Sequence, residues 1–512
     1  MEDKTLIFFI VLPFLAAFSL PLIGLVSEKA ESYIVAIISL ILMVLSVSSL
    51  FNLAESTVYV VGGWYPVEKI PIGIHLVSDG LSKLMLLIVN TLAFFCAVFA
   101  IDYIKKYTGQ KYFYTLFCLQ LAGLNGVVLA GDMFNLFVFM EVASKASYAL
   151  VAFGVRRTEI EASFKYQVLG GLASLFMLFA ITMLYWMTST LNMADMSLVL
   201  SKGLVENGNA LRFAQLFLIA GVGIKAAMIP FHAWLPDAHS SAPSPVSAML
   251  SGVVIKVLGI YVLLRLFINV FEPDIFISNV FAVLGGISMT AGVFLAIGAW
   301  DLKRLLAYHS ISQMGYVMMG IGIGMGILAS AGPSATVALT FTAALFHMIN
   351  HAVFKGLLFL SAGSIEHATG TVNLKGMGGL AKYMPLTMAT SFVASMAIAG
   401  IPPFNGFFSK FAIIVAAIQG GYHFRAALGF IVGIITLASF LKFQRYAFFG
   451  KPQYDFSIKE SPFFIKFSLV SLAVLCLAMS LLIFSSIREI VLDPAVNTLL
   501  ETTGYAIKNL QP

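Results

Sequence analysis

Long apolar runs are the feature of this sequence that most limits what it can fold into. The chain is 60% hydrophobic and only 11% charged, whereas soluble domains carry about 25% charged residues. Because a bilayer-spanning helix needs about 20 apolar residues, the sequence predicts an all-α polytopic membrane protein. We predict about 14 transmembrane helices, near residues 6–26, 33–53, 79–101, 112–131, 133–154, 164–187, 210–235, 242–268, 276–299, 304–328, 334–362, 385–418, 424–448 and 464–487.

Basic residues are distributed unevenly between the predicted loops. If the N-terminus is outside, the loops after odd-numbered helices hold most of them, including Lys105, Lys106, Arg156 and Arg157. Cytoplasmic loops carry the excess of lysine and arginine, so we predict a multi-pass protein of the cell membrane with both termini on the external side. The first apolar run lacks a basic segment before it and a cleavage site after it, so it is predicted to be helix 1 rather than a removed signal peptide.

Prolines interrupt two predicted helices in a similar way. Pro230 lies in predicted helix 7, and Pro402 and Pro403 lie in predicted helix 12. Proline removes a backbone donor, and paired broken helices in two halves of a chain indicate inverted repeats with a transport site between them. We therefore predict two inverted five-helix repeats. The predicted regions are residues 1–110 (helices 1–3), 111–270 (helices 4–8), 271–450 (helices 9–13) and 451–512 (helix 14 and tail).

Ionisable residues lie inside many of these spans. A lysine at the bilayer centre costs roughly 2.5–3.5 kcal/mol on insertion scales, so residues of this kind indicate an ion or proton path. The residues predicted to carry protons are Glu141, Lys225, Lys256, His347, His351 and Lys410. Further candidates are Lys145, Lys355, His232, Asp237, His239 and Lys442.

Spacing relates several of these residues to one another. Glu141 and Lys145 are four residues apart and share a helix face, either as a self-neutralising pair or as a carboxylate whose charge a movable lysine sets. His347, His351 and Lys355 follow at intervals of four, which draws one stripe along a helix. Histidine titrates near neutral pH, so three titratable groups in line favour a proton relay over satisfied core histidines.

Other candidates keep two interpretations. Lys442 is close to the cytoplasmic end of its helix, where its side chain could snorkel to the interface. His232, Asp237 and His239 flank the break in predicted helix 7, either as a cytoplasmic uptake funnel or as ordinary loop polarity. Two interpretations also fit a further group of polar residues. They could line a wet path through the membrane, or they could be ordinary polar side chains of the helix; the residues are His309, Ser310, Ser312 and Gln313.

Several classes of site are not indicated. The three cysteines, Cys96, Cys118 and Cys476, lie in apolar runs without a C-x-x-C pair, and supply no metal or iron–sulfur motif. The sequence has no phosphate loop, dinucleotide fingerprint, nucleophile elbow or H-E-x-x-H motif. We therefore predict that the chain binds no cofactor, metal or nucleic acid, and that a gradient or a partner supplies its driving energy.

Two segments outside the spans have predicted structure. The loop at 55–75, with Gly62, Gly63, Trp64 and Pro66, is predicted to form a short external hairpin. The mixed polar and apolar residues at 190–205 predict a helix lying at the membrane interface.

Motifs between predicted helices 3 and 13 together carry a family resemblance. They are DGLS at 79–82, KAAMIPFHAWLPDAH at 225–239, PSPVSAMLSG at 243–252, HSISQ at 309–313 and PPFNGFFSK at 402–410. Through them and its buried charged residues, the chain resembles the antiporter-like membrane subunits of respiratory complex I, of Mrp-type cation/proton antiporters and of membrane-bound hydrogenases.

The resemblance implies a hydrophilic axis in mid-membrane. Glu141 would pair with Lys225, Lys256 would connect toward His347 and His351, and Lys410 would be the exit-side proton donor. The sequence ends near residue 512, without the lateral helix of the longest family members, so we expect the shorter type of subunit.

The resemblance also implies a multisubunit complex in a lipid membrane. The expected partners are other integral membrane subunits and a peripheral redox arm, with iron–sulfur and nickel–iron or flavin centres in those partners. We predict a proton-translocating subunit of a redox-driven complex of the hydrogenase or complex I type, with sodium transport left open. The alternatives are a subunit of an Mrp-type Na+/H+ antiporter without redox chemistry, and a passive membrane scaffold.

Overall fold

Helices form almost the whole of the chain that can be described. The computed structural model describes residues 4–25, 27–52, 56–64, 71, 73–205, 207–451 and 458–501. Within these ranges twelve helices are long and apolar enough to cross a membrane. This confirms the prediction of an all-α polytopic membrane protein, apart from one small hairpin, whereas the count of 14 spans stays a prediction.

The helices of the first half surround a buried centre. In chain order they are α1 (Phe8–Ile23), α2 (Glu28–Leu50), α3 (Gly80–Tyr103), α4 (Gln110–Leu129), α5 (Met133–Val151), α6 (Arg157–Thr188), α7 (Met193–Ser201), α8 (Gly208–Lys225) and α9 (Trp234–Ser241). The short helix α7 occupies the segment for which an interfacial helix was predicted.

The predicted hairpin is present, and its external location stays a prediction. Strand β1 (Ser56–Val60) pairs antiparallel with β2 (His75–Asp79), with Ser56 opposite Asp79. Gly62 and Gly63 lie between the strands with φ angles of 71° and 70°, a left-handed conformation that glycine adopts without steric cost. Pro66, which the prediction included, lies outside the described residues.

A helix with unusual geometry follows α9. It begins as α10 (Ser244–Met249) and continues through π-helical stretches at Leu250–Val254, Lys256–Tyr261 and Arg265–Val270, with α11 (Val262–Leu264) between the last two. Every residue from 244 to 270 is buried. π-helical turns are rare and are frequent at functional sites.

The second half packs against this buried helix. Its helices are α12 (Ile275–Gly298), α13 (Leu302–Ala331), α14 (Ala335–Thr369), α15 (Pro385–Ala399), α16 (Asn405–Gln419), α17 (His423–Gln444), α18 (Phe463–Ala478), α19 (Ser485–Val491) and α20 (Asp493–Leu500). A π-helical stretch at Arg445–Phe449 extends α17, and 3-10 turns lie at Lys4–Ile7, Val61–Gly63, Ile104–Lys106, Leu374–Gly376, Leu380–Lys382 and Met479–Ile483.

Both predicted helix breaks are present, and they explain the count of long spans. Predicted helix 7 is divided into α8, which ends at Lys225, and α9. Predicted helix 12 is divided into α15 and α16, neither of which is long enough to count as a full span. Between them Gly400 has a φ of +81°, and Pro402 and Pro403 form the turn before Asn405. The breaks therefore place Lys225 at a helix end and Lys410 in the second turn of α16.

Candidate functional site

A carboxylate between two lysines lies where α5, α6 and α8 meet. The Lys225 Nζ donates to Glu141 Oε1 at 3.2 Å, and the Lys145 Nζ lies 3.0 Å from Glu141 Oε2. The Ser174 hydroxyl on α6 donates to Oε1 as well. Glu141 is therefore bonded on both oxygens, and its charge is shared between two cations.

The two lysines differ sharply in their surroundings. The Lys145 side chain is 57% exposed and points to the outer surface of the chain, whereas the Lys225 side chain is 1% exposed. Lys225 also donates to the Ser144 hydroxyl at 2.8 Å and lies 3.4 Å from the Tyr148 hydroxyl. Lys225, at the end of α8, is thus the core partner of Glu141, and Lys145 is its surface partner.

Serine hydroxyls and backbone carbonyls of the π-helical segment and α13 lie between two further lysines, Lys256 and Lys355. The Lys256 Nζ donates to the Ser251 carbonyl at 2.6 Å, and the Ser251 and Ser310 hydroxyls are 2.7 Å apart. Ser310 donates to the Leu306 carbonyl at 3.1 Å, and this carbonyl also accepts from the Lys355 Nζ. Ser251, Ser310 and the Leu306 carbonyl therefore lie between Lys256 on the π-helical segment and Lys355 on α14, with Ser251 contacting Lys256 through its carbonyl and Ser310 through its hydroxyl.

A histidine and an aromatic ring lead from this region to Lys410. His347 Nδ1 is 3.0 Å from the Ser409 hydroxyl, and its ring centroid is 5.7 Å from that of Tyr316. The Lys410 Nζ lies 5.0 Å from the Tyr316 ring centroid and donates to the Ile398 carbonyl at 2.7 Å. Tyr316 therefore lies between His347 and Lys410.

His351 lies on α14 between His347 and Lys355. It is fully buried, and neither ring nitrogen has a hydrogen-bond partner among the described residues. Within the described ranges, Lys256, Lys355 and Lys410 form no ion pair. Burial without a counter-ion disfavours the charged form of an amine or imidazole, so a proton placed on such a group is released more readily than it would be in water.

We refer to Glu141, Lys225, Lys256, Lys355, His351, His347 and Lys410 as the titratable row. The row follows the buried helices from α5 to α16. Ala226, next to Lys225, packs directly against Gly259 of the π-helical segment, so the elements that carry Lys225 and Lys256 are in contact. A row of this kind can hold, move and release protons within the membrane.

Lys442 does not belong to the row. Its Nζ donates to the Ile297 and Ala299 carbonyls at 2.8 and 2.7 Å, and it lies 4.1 Å from the Trp300 ring centroid. Carbonyls at the end of a helix lack intrahelical partners, so Lys442 acts as a cap on the C-terminus of α12.

The residues that flank the break after α8 do not form one group. Asp237 pairs with Lys165 at 2.9 Å and with Arg304 at 2.8 Å. Burial alone would raise the pKa of Asp237, but the hydrogen bonds and charges of Lys165 and Arg304 hold it below its ordinary value. His232 is partly exposed, and burial lowers its pKa. His239, in contrast, is fully buried, with its ring 4.6 Å from that of Phe359.

Most polar side chains of the group around His309 form hydrogen bonds with neighbouring helices. His309 Nε2 is 2.8 Å from the Ser439 hydroxyl, and Ser312 donates to the Met289 carbonyl at 2.8 Å. Gln313 is fully buried, and its side chain has no hydrogen-bond partner among the described residues. Only Ser310 of this set lies between Lys256 and Lys355.

Sequence reasoning missed the uncharged groups that position the row. These are hydroxyls and amides spread over five helices, including Ser144, Ser174, Tyr316, Asn350, Asn405 and Ser409. Asn350 donates to the Ser409 hydroxyl at 3.1 Å, so the contact of His347 is itself held in place. No signal in a single sequence distinguishes these side chains from ordinary polar residues of a membrane helix.

The described ranges also offer no cluster for a metal ion. No group of three or more His, Cys, Asp or Glu side chains is placed to hold one within those ranges. The three cysteines are buried and free.

A family model covers most of this site. Residues 130–436 match the family described as "NADH:quinone oxidoreductase/Mrp antiporter, TM". Residues 64–114 match the one described as "NADH-Ubiquinone oxidoreductase (complex I), chain 5 N-terminus".

Two relatives have the same identity to this chain. A Na(+)/H(+) antiporter subunit of Alkalihalophilus pseudofirmus is 37% identical, over 78% of this chain and 77% of its own. A NADH-quinone oxidoreductase subunit of Desulforudis audaxviator is also 37% identical, over 77% of this chain and 76% of its own.

A solved structure has the same fold along its whole length. It is a chain of the membrane-bound sulfane sulfur reductase, an archaeal respiratory membrane complex, with a TM-score of 0.88 and 28% sequence identity. The match covers 99% of this chain and 100% of the other.

Proposed function

We propose, from the premise that this chain belongs to the NADH:quinone oxidoreductase/Mrp antiporter family of membrane subunits, that it moves protons along the titratable row. The observation that carries the proposal is the pairing of Glu141 with the buried Lys225 at 3.2 Å, at one end of a row of buried titratable groups. Keeping such groups at membrane depth is costly, and they mark ion and proton pathways.

The proposed mechanism is electrostatic. While Glu141 is charged and close, it favours the protonated form of Lys225. A lysine that loses its carboxylate partner in a low-dielectric site releases its proton more readily. Lys145 competes for the same carboxylate from the surface, so a charge arriving there could draw Glu141 from Lys225. The released proton would then move toward Lys256, His351, His347 and finally Lys410 as the exit-side donor.

We further propose that the chain works in a redox-driven complex of the hydrogenase or complex I type. Its partners would be integral membrane subunits and a peripheral arm that holds the iron–sulfur, nickel–iron or flavin centres. An Mrp-type Na+/H+ antiporter without redox chemistry has equal support, because the two relatives named for these complexes are equally similar to this chain.

Lys225→Ala tests the relay directly. Coupled proton movement should be lost, while the complex still assembles, because the substitution removes the core partner of Glu141. The measurement is proton uptake by membrane vesicles under the native driving reaction, with assembly followed by gel filtration. Lys442→Ala is the matched control, since it removes a lysine outside the row. Normal proton uptake by the assembled Lys225→Ala complex would rule out the relay and favour the scaffold alternative.

The parent complex can be identified by its composition. Gentle purification of the native complex should yield iron–sulfur subunits, with nickel for the hydrogenase type or with flavin but no nickel for the complex I type. Recovery of small membrane subunits alone, free of metal and flavin, together with sodium-dependent proton exchange, would replace this assignment with the Mrp-type antiporter.

The orientation in the membrane is testable by labelling. With both termini outside, a cysteine at Lys382 should face the cytoplasm and one at Lys202 the exterior. A membrane-impermeant maleimide added to intact cells should therefore label Lys202→Cys and not Lys382→Cys. The native cysteines are buried and give a low background. The reverse labelling pattern would invert the topology.

A further inference from the structure

A second buried ion pair lies at the end of the molecule predicted to face the cytoplasm. The Lys303 Nζ at the start of α13 is 2.7 Å from Glu366 Oε2 near the end of α14. The Tyr103 hydroxyl donates to the same oxygen at 2.7 Å, and the Ser244 hydroxyl lies 3.3 Å from it. Lys106 approaches the other oxygen, Oε1, at 3.7 Å. None of these five residues was a candidate in the sequence.

The two oxygens of the Glu366 carboxylate lie in surroundings of different solvent exposure. The side chain of Glu366 is 21% exposed and that of Lys106 is 36% exposed, whereas that of Lys303 is 3% exposed. Tyr103 and Ser244 are fully buried. One oxygen of Glu366 thus faces a solvated lysine, and the other faces buried hydroxyls and a buried ammonium group.

The position of Glu366 is unfavourable for a carboxylate that has only a structural role. It lies in the last turn of α14, where the unpaired carbonyls make the helix end partly negative. Lys303 and Lys106 offset the negative charge of Glu366 at this helix end. Lys303 also donates to the Ala242 carbonyl at 3.1 Å, in the junction between α9 and α10.

His239 is the next titratable group toward the titratable row. It lies on α9 and is fully buried, with no hydrogen-bond partner on either ring nitrogen among the described residues. Its ring centroid is 4.6 Å from that of Phe359, and the Lys355 Nζ lies 5.7 Å from the centroid of the same Phe359 ring. On the other side, Lys303 donates to the carbonyl of Ala242, three residues after His239. His239 therefore lies near Lys355 of the row, on the segment that Lys303 contacts.

We propose that Glu366, with Lys303, Tyr103 and Ser244, is the port through which protons are taken up from the cytoplasm, and that His239 passes them to Lys355. At the port a hydronium ion from the cytoplasm protonates the Glu366 carboxylate and leaves a water molecule. The new O–H bond breaks as the proton moves to a neutral ring nitrogen of His239, which restores the carboxylate. The imidazolium then gives the proton to the neutral amine of Lys355 and becomes neutral again. The inference rests on the proposed function, because it requires a row that accepts protons.

The test compares variants of the complete complex in vesicles with the driving reaction running. Glu366→Gln keeps the shape of the side chain but cannot carry a proton, so proton uptake should fall by about a hundredfold or more, as expected for the loss of a positioned acid–base group. Asp102→Asn is the matched control: it is a largely buried carboxylate in the next-to-last residue of α3, next to Tyr103, paired with Lys105 at 2.7 Å and outside the cluster. It should keep a rate near that of the parent protein.

The outcomes separate the port from the row. If assembled Glu366→Gln takes up protons normally while Lys225→Ala does not, the port is wrong and the relay stands. If both take up protons normally, the proposed function fails. Glu366→Asp, which retains a carboxylate, should recover much of the lost rate, and an equal loss in both variants would mean a structural role.

A chemical modification experiment on the parent protein tests the same proposal without relying on variants that fold correctly. A hydrophobic carbodiimide reacts with carboxyl groups that become protonated in apolar surroundings. During turnover it should modify Glu366, as identified by peptide mass spectrometry, in step with the loss of proton uptake. Glu366 that stays unmodified throughout turnover would overturn the proposal.

Discussion

Arg265 is among the largest side chains that the described residues bury, and its charge is met by a buried carboxylate. Its two terminal nitrogens bond the oxygens of Asp79 at 2.6 and 2.8 Å, and Nη2 also donates to the Ser82 hydroxyl at 3.0 Å. Asp79 ends β2 and caps α3, so this pair joins the hairpin to the buried π-helical segment. We expect a structural role for the pair, in contrast to the proton-carrying role proposed for the lysines of the row.

The Asp79–Arg265 pair predicts how stability depends on pH. Burial alone would raise the pKa of Asp79, but the charge of Arg265 and the hydrogen bonds from Arg265 and Ser82 hold it below its ordinary value. The contribution of the pair is therefore complete above the unfolded-state pKa, about 3.9, and is lost as pH falls through the lower folded-state pKa.

Asp79→Asn should destabilise the protein by about 3–5 kcal/mol at neutral pH, because it leaves a buried guanidinium without its counter-ion. Thermal unfolding of the detergent-solubilised protein at neutral and acidic pH measures both the loss and its disappearance in acid. Glu272→Gln, an exposed carboxylate, is the control. An Asp79→Asn variant as stable as the parent protein would show that the pair contributes nothing net.

At the scale of helices, the two broken segments could be predicted and the π-helical segment could not. Proline removes a backbone donor and disfavours a continuous helix, so Pro230 and Pro402–Pro403 located both interruptions, although α1 continues through Pro13 and Pro21. The residues from 250 to 270 are uniformly apolar apart from Lys256, Arg265 and a few small polar groups, and no local signal separates an α-helix from a π-helix. The segment packs against α3 and α14 at residues 250–254 and against α4 and α8 at residues 256–261, contacts that no local sequence signal reveals.

Close packing of α16 on α15 is predicted to position Lys410. A methyl group added to Gly406 would overlap the Ala397 carbonyl oxygen, so Gly406→Ala should displace α16 and cost about 1–3 kcal/mol from overpacking. Proton uptake should fall with it. Gly171→Ala on α6, where nothing lies within 4 Å of the added methyl group, is the control. Equal stability and transport in the two variants would show that the Gly406 contact does not matter.

Substitution of Lys442, near the end of α17, is expected to leave proton uptake almost unchanged, in contrast to Gly406→Ala. Lys442 caps the carbonyls of α12 and lies outside the row, so Lys442→Gln should leave proton uptake within about twofold of the parent rate, with a small loss of stability typical of a lost helix cap. Uptake in vesicles and thermal unfolding measure the two effects. A loss as large as that of Lys225→Ala would place Lys442 in the path.

At the scale of the whole molecule, the row connects the two halves of the chain through its most buried helices. Composition was enough to predict a polytopic membrane protein, because repeated apolar runs of about 20 residues are typical of bilayer-spanning helices. The spacing of His347, His351 and Lys355 was enough to predict one stripe along α14. Residues 84 positions apart, such as Glu141 and Lys225, could be paired only through the family resemblance, since sequence spacing relates Glu141 to Lys145 alone.

Of the links between row members, Ser310 was among the sequence candidates for a wet path, but its partners could not be predicted. They are the Ser251 hydroxyl and the Leu306 backbone carbonyl, and these contacts depend on how the helices meet. The same holds for Glu366 and Lys303, which read as ordinary loop-proximal charges until α13 and α14 are placed together.

The proton relay is tested most sharply by a double-mutant cycle on proton uptake by vesicles that contain the complete complex. Glu141→Gln, Lys225→Ala and the double variant are compared with the parent protein under the native driving reaction. Because residues that act as a unit are not additive, we expect that each single variant lowers uptake to a similar small residual rate and that the double variant has a rate no lower than either. Losses that add, or normal uptake in either single variant, would contradict the relay.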